Sequence, residues 1–390
     1  MTRIKDPSAA AAAEADLPWL QRYIPLTRRV AADLSRTTLR GRRLGLNVHL
    51  DIKMVPVVEA LVQAGAQVVV LGCNPHTTRD GVAALMAARG AKVYAWAGMT
   101  EAERQEGFRW ALSHECEFVS EMGGELLAAV VRDGSTSRQT LRAGMEATGS
   151  GILRLQALRL PVPVFNWDGL TLKQGLHNRY LVGLMVWHTF INVTALTLYA
   201  RRVLVIGYGL VGQGIAEYAR LLGARVMVCD IDPVRLVLAR QQGGEPVSMR
   251  EGLARAGVVV TATGCDRVLG ADDFPHLADG CILANAGHSN LEIDIPALRR
   301  YPTREVRPAI EEVAVEGRTV YLLAKGAMLN LAAGFGDPLD AFDLTSALML
   351  AGIEFMVQHH AAFPAGIHLL PSDVEHRIAV IATGPLSPSQ

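Results

Sequence analysis

The chain has 390 residues, half of them apolar and 19% charged, and its 38 basic and 38 acidic residues cancel to a formal net charge of zero. A chain this long outgrows a single core, which stops enlarging near about 250–300 residues, so two domains are expected. The neutral balance excludes the basic surface that phosphate-backbone binding demands, and no nucleic-acid partner is expected.

The N-terminal run "MTRIKDPSAAAAAEADLPW" is broken by acids and carries no continuous apolar stretch. It reads as a frayed tail leading into a first helix, not as a secretory signal. Five cysteines, Cys73, Cys116, Cys229, Cys265 and Cys281, are widely spaced and form neither CxxC nor a Cys/His pair at metal-ligand spacing. That pattern predicts buried free thiols, a reducing cytoplasmic setting and no metal site. From residue 43 to 160, strand-like runs ("RLGLNVHL", "QVVVLGC", "KVYAWA") alternate with amphipathic helical runs ("MVPVVEALVQAG", "RDGVAALMAARG"). Such alternation predicts a parallel, doubly wound sheet.

Next comes "NWDGLTLKQGLHNRY", residues 166–180, a polar cluster between the apolar runs "PVPVF" and "LVGLMVWHTFINVTALTLYA". The second run, residues 181–200, is long enough to cross a bilayer. It leads directly into a glycine-punctuated strand, so the expectation is a helix buried on every side and no membrane association. A second strand-helix series starts at Arg202 with "RVLVIGYG", "GIAEYARLLG", "RVMVCD", "VVVTATG", "CILANAG" and "TVYLLA". The fold class is therefore α/β, two doubly wound, parallel-sheet, Rossmann-like domains joined at a hinge.

In "VLVIGYGLVGQG", Gly207, Gly209 and Gly212 form GxGxxG after a strand run and before a helix run. The first glycine allows the tight turn, the second admits a pyrophosphate, and the third allows close helix-strand packing. Val211 lies inside this turn. Asp230 ends the next strand, where a carboxylate binds ribose hydroxyls and repels a 2′-phosphate, which favours NAD; Arg235 nearby softens that preference. The predicted domains are residues 1–180 as the first part of a substrate-binding domain, 181–325 as the NAD-binding domain, 326–370 as the return to the substrate domain, and 371–390 as a short tail with a brief helix.

The segments "CNPHTTRDGVAA", "VYAWAGMTEAE", "VVVTATGCDRVLGADDF", "CILANAGHSNLEID" and "LLAKGAMLNLAAGFGDP" resemble, in order and spacing, those of S-adenosyl-L-homocysteine hydrolases. The resemblance covers roughly residues 40–350. It implies a redox-neutral reaction on a nucleoside: the 3′-hydroxyl is oxidised with NAD, the acidified C4′ proton is removed, the 5′ group leaves, and in the hydrolases water adds before the ketone is reduced again. It also implies residues. The pattern Thr-Lys-x-x-x-Asp-Asn falls on Leu172, Lys173, His177 and Asn178. Lys173 is implied at the 3′-hydroxyl, Asn178 beside the cofactor, and His49 and His288 at the 5′ end. Glu146 is implied on ribose hydroxyls, Thr148 follows it in a shortened threonine run, and Asn285 and Asn330 are implied on the nicotinamide side.

The departures gather on the substrate side. His-x-Thr-x-Glu becomes His49-Leu50-Asp51-Ile52-Lys53, and Asp-Asp-Gly-Gly-Asp becomes Glu121-Met122-Gly123-Gly124-Glu125. Gly-His-Pro becomes Gly336-Asp337-Pro338, and His177 stands where the family has aspartate. Asp51, Lys53, Met122 and Asp337 are therefore expected to bind an altered substrate, with Asp51 suited to an extra sugar hydroxyl. Buried polar changes of this kind cost about 10⁴–10⁵ in discrimination. The expectation is an NAD-dependent lyase or dehydratase on an adenosine-like nucleoside in specialised metabolism, expelling a 5′ group such as water. The alternatives are a divergent hydrolase and a non-catalytic NAD-binding homologue. No lysine follows Lys325 and no tyrosine follows Tyr321, so the family's C-terminal arm is expected to be missing and the homo-oligomer to be a dimer or a tetramer.

Overall fold

The computed structural model describes residues 2–133, 136–288 and 290–384. The chain divides into two compact units, residues 1–173 with 339–390, and residues 174–338.

The first unit is built on eight strands: β1 Arg3–Ile4, β2 Arg43–Val48, β3 Gln67–Gly72, β4 Lys92–Ala95, β5 Phe118–Glu121, β6 Ala143–Glu146, β7 Pro163–Asn166 and β16 Gly366–Leu369. Their order is β1-β4-β3-β2-β5-β6-β7-β16, all parallel. The N-terminal residues expected to fray instead pair with β4 through Arg3 and Ile4. The winding reverses between β2 and β5, so the ligand crevice of such a sheet lies outside the carboxyl ends of those two strands. His49 directly follows β2 and Met122 directly follows β5. Helix Leu339–His359 returns to this unit and buries Ala347, Leu348, Leu350, Ile353 and Met356 in its core. The expected tail holds helix Ser372–Thr383, which buries Val374 and Ile378; residues 385–390 lie outside the described residues.

The second unit carries β8 Arg202–Ile206, β9 Arg225–Cys229, β10 Glu245–Pro246, β11 Val258–Thr261, β12 Ile282–Asn285, β13 Thr303–Arg307, β14 Ile310–Val315 and β15 Arg318–Leu323. The order is β10-β9-β8-β11-β12-β15-β14-β13, with an antiparallel meander of β13, β14 and β15 at one edge. Here the winding reverses between β8 and β11, next to the glycine-rich turn.

The chain crosses between units at 173/174 and 338/339; the first falls within the polar cluster of residues 166–180, and both differ by some residues from the domain bounds of 180 and 325 expected from the sequence. The difference has a packing cause. Gly214 lies under the residue 179 backbone, so residues 174–181 belong to the second unit, and the short helix Leu329–Ala332 buries Leu329 in the apolar cluster that holds Val186 and Phe190. The apolar run after residue 181 forms helix Val182–Thr194, ended by Ala195 in the left-handed conformation (φ 56°). It is not covered on every side: Leu184 and Ile191 are more than a third exposed. Among the described residues no helix is long and apolar enough to cross a membrane. Cys73, Cys116 and Cys281 are buried thiols, whereas Cys265 is exposed.

Candidate active site

In the second unit β8 runs into Gly207, whose φ of +94° and close approach to the Ala262 carbonyl exclude a side chain. A Cβ on Gly212 would fall 1.9 Å from the Gly207 carbonyl oxygen, so helix Leu210–Leu221 meets the turn only because residue 212 is glycine. Gly209 caps that helix without a side-chain hydrogen bond, leaving its first N–H groups for an anion. Val211 lies in the first turn. Asp230 follows β9; its Oδ2 accepts from the Tyr208 N–H at 2.6 Å and its Oδ1 from the Asp232 N–H at 2.9 Å. Arg235 approaches Asp230 at 3.5 Å and Asp232 at 3.6 Å, so it is paired with carboxylates.

Asn285, fully buried at the end of β12, donates to the Gly326 carbonyl and accepts from Thr261 Oγ1 and the Gly287 N–H. It ties the carboxyl end of β11 to the segments that follow β12 and β15. Asn330 is 2% exposed, and its Oδ1 has no hydrogen-bond partner among the described residues. A buried, unsatisfied carbonyl is costly and fits a ligand amide N–H such as a carboxamide. His288 is half-buried on the turn after Gly287. A Cβ on Gly287 would lie 1.5 Å from Glu292 Oε1. Glu292, passed over by the sequence reading, is fully buried and accepts from the Thr263 N–H and hydroxyl and the Gly264 N–H. Burial raises its pKa.

At the switch point of the first unit, His49 Nδ1 lies 2.7 Å from Thr77 Oγ1, whose hydroxyl donates to the Asn74 carbonyl at 3.1 Å. Thr77 therefore accepts from Nδ1–H, which leaves Nε2 as the proton-accepting atom of the imidazole. Thr77 was not singled out in the sequence, and "CNPHTT" now has a function as the brace of His49. Asp51 caps the turn Ile52–Met54 and pairs with Lys53 Nζ at 2.5 Å. Both side chains are largely buried, at 14% and 4% exposed, and Lys53 lies 5.7 Å from the Phe342 ring centroid. Met122 is buried in the apolar cluster that also contains Ala147 and Trp167.

Glu146 lies in a dense internal hydrogen-bond network. Its Oε1 accepts from the Gly123 N–H, the Thr148 N–H and the Thr148 hydroxyl, and its Oε2 from the Gly124 N–H. With no exposure and four donors in place, three on Oε1 and one on Oε2, it clamps the Gly123-Gly124 turn. Its strand neighbour Glu121 accepts from the Leu126 and Leu127 N–H groups and from Asn47, so the two carboxylates pin both ends of the turn that carries Met122. Burial pushes Glu121 up to about 7; burial and then the Glu121 charge push Glu146 up to about 8. Thr148 is spent locally as well, capping helix Gly149–Gln156 through the Gly151 N–H.

Lys173 is 7% exposed, with Nζ 5.9 Å from the Trp167 ring centroid. It opens a π-helix, Lys173–Leu181, that also carries His177 and Asn178. Helices of this kind are rare and concentrate at functional sites. Within the second unit His177 Nε2 lies 3.6 Å from Asp337 Oδ2, both side chains being nearly buried.

Comparison with known proteins identifies the family. The S-adenosyl-L-homocysteine hydrolase family profile matches residues 11–159, and the profile of the NAD-binding domain of S-adenosyl-L-homocysteine hydrolase matches residues 185–336. The chain belongs to the S-adenosyl-L-homocysteine hydrolase family. Adenosylhomocysteinase of Thermotoga maritima is 35% identical over 94% of this chain and 93% of its own length. S-inosyl-L-homocysteine hydrolase of Methanopyrus kandleri is 32% identical over 96% and 91%, and adenosylhomocysteinase of Thermococcus kodakarensis 32% over 97% and 92%. The protein is an NAD-dependent enzyme of the adenosylhomocysteinase type. The cradle fits its cofactor: the open N-terminus at Gly209 suits the pyrophosphate, Asp230 the ribose, and the unpartnered Asn330 Oδ1 the carboxamide.

Proposed function

We propose that the enzyme is a nucleoside lyase or dehydratase: it oxidises a 3′-hydroxyl, removes the C4′ proton, expels the 5′ group, and releases the 4′,5′-alkene instead of hydrating it. Bound NAD supplies the hydride acceptor and returns the hydride at the end of the cycle. Lys173, desolvated beside Trp167, takes the hydroxyl proton as the ketone forms. His49, its Nδ1 held by Thr77, presents Nε2 for proton transfer at the 5′ end, with His288 as the second imidazole there. When the 5′ group is hydroxyl, the C5′–O bond breaks and the departing oxygen gains a proton, so one water is lost. Asn285 and Asn330 serve the nicotinamide side, and Asp51 with Lys53 reads the substrate.

The observation that carries the proposal is Met122. A thioether stands directly after β5 at the switch point, where the family pattern has a carboxylate, and it is buried among apolar side chains. It can neither hold a proton nor orient a water for addition to the alkene. Incubating the NAD-loaded protein with adenosine and its sugar-modified analogues, and following product mass, tests this: loss of one water is expected. Turnover of S-adenosylhomocysteine at ordinary hydrolase rates would sink it.

A second reading, hydrolysis of an S-nucleosidyl homocysteine, is favoured by the Asp51–Lys53 pair. Asp51 accepts from the Lys53 N–H and faces Lys53 Nζ, so a cationic N–H group stands beside the carboxylate. Donors suit the 6-oxo group of an inosyl substrate better than a 6-amino group. Release of homocysteine from S-inosylhomocysteine would support this reading against the first. The cytoplasm and a dimeric or tetrameric homo-oligomer are the setting proposed for either.

A further inference from the structure

Two of the departures from the family pattern are an exchange. The pattern has aspartate at position 177 and histidine at position 337; this chain has His177 and Asp337, and the two side chains meet at 3.6 Å, at 12% and 6% exposure. Either change alone would oppose two carboxylates or two imidazoles at a site almost without water, which is costly. Made together, they preserve one acid–imidazole contact with its ends reversed.

The contact sits where the fold needs an anchor. Helix Lys173–Leu181 is wound as a π-helix, whose hydrogen-bond geometry rarely sustains itself over nine residues. Its far end is fixed by the Arg179 carbonyl, which would lie 1.5 Å from a Cβ on Gly214, and by the Arg179–Glu217 ion pair at 3.3 Å. In its middle, His177 faces Asp337 at 3.6 Å. That residue lies one position before the second unit ends at Pro338, while the helix itself begins at the other crossing. Lys173 is four residues before His177 on this helix, and Asn178 adjoins it.

We infer that His177 and Asp337 form one positioning pair that holds the π-helix in register and thereby sets Lys173 and Asn178 for the redox step. They are not two separate substrate contacts. The inference rests on the proposed role of Lys173.

The test is a reciprocal exchange in the NAD-loaded enzyme, reading single-turnover reduction of bound NAD by adenosine and by inosine through reduced-nicotinamide fluorescence. His177→Asp and Asp337→His should each slow reduction about 30-fold or more, with bound NAD retained, and the double exchange should return to within about threefold of wild type. If a single exchange does not fold, His177→Asn and Asp337→Asn replace it; each should slow reduction, and the double Asn variant should be no slower than the slower single. Independent, multiplicative effects, or singles within about threefold of wild type, would overturn the pair. Lys173→Met separates the two layers. If it leaves reduction intact, or if neither nucleoside reduces the wild-type enzyme, the underlying reading fails; if it abolishes reduction while the exchange shows no coupling, only the pair fails.

Discussion

Replacing Lys53 by methionine removes the cation from a carboxylate that is 14% exposed. At 2.5 Å the attraction is on the order of 7 kcal/mol for an effective dielectric near 20, before desolvation is subtracted. Breaking one side of such a pair costs about 3–5 kcal/mol, because the survivor stays buried without its counter-charge. Asp51 keeps the Lys53 N–H at 2.8 Å and some contact with water, which places the expected loss near 3 kcal/mol. In a unit of this size that lowers the melting temperature by roughly 6–12 °C. The double variant Asp51→Asn, Lys53→Met removes both charges and should recover most of the loss, since apolar replacement of a buried pair is close to neutral. The assay is thermal unfolding of both variants followed by circular dichroism, with kcat/KM for adenosine and inosine derivatives measured in parallel. A loss below about 1 kcal/mol for Lys53→Met would mean that the pair behaves as an exposed one, and a double variant worse than the single would refute the charge argument.

Gly214→Ala should displace the residue 179 backbone, since its Cβ would overlap that carbonyl oxygen; we expect about 1–3 kcal/mol of destabilisation by denaturant titration and a slower reduction of bound NAD. Asp230→Ala removes the acceptor of the Tyr208 and Asp232 N–H groups at the dinucleotide turn, and should weaken NAD retention at least about tenfold in equilibrium dialysis. For pH, Glu121 and Glu146 have values in the fold, about 7 and about 8, above the ordinary 4.5. The folded chain thus binds protons that the unfolded chain has released, and their contribution is complete below about pH 4.5 and lost as pH rises through 7 and 8. Melting temperatures should fall across that window, and Glu121→Gln should flatten the slope.

What could be read from the sequence was local or patterned. The glycines at 207, 209 and 212, the strand after which they occur, and the strand-helix alternation all follow from short-range periodicity and turn chemistry, and the structure places them as expected. Pairings between distant residues were not legible. Nothing near His177 announces Asp337, 160 positions away, and nothing near His49 announces Thr77 as its brace. The surroundings of Glu146 were not legible either, because they are built by Gly123 and Gly124 on the neighbouring loop, whose N–H groups donate to its two oxygens. The meander β13–β15 is legible only at its last strand: β13 is largely exposed, and β14, though mostly buried, has its apolar run broken by Glu311 and Glu312.

The central claim is that the alkene is released without hydration. Turnover of a 5′-hydroxyl nucleoside by the NAD-loaded enzyme in oxygen-labelled water tests it most directly, with mass spectrometry of the product. The account predicts a product lighter by one water that carries no label; a product bearing labelled oxygen at the 5′ carbon would contradict it and return the enzyme to hydrolysis.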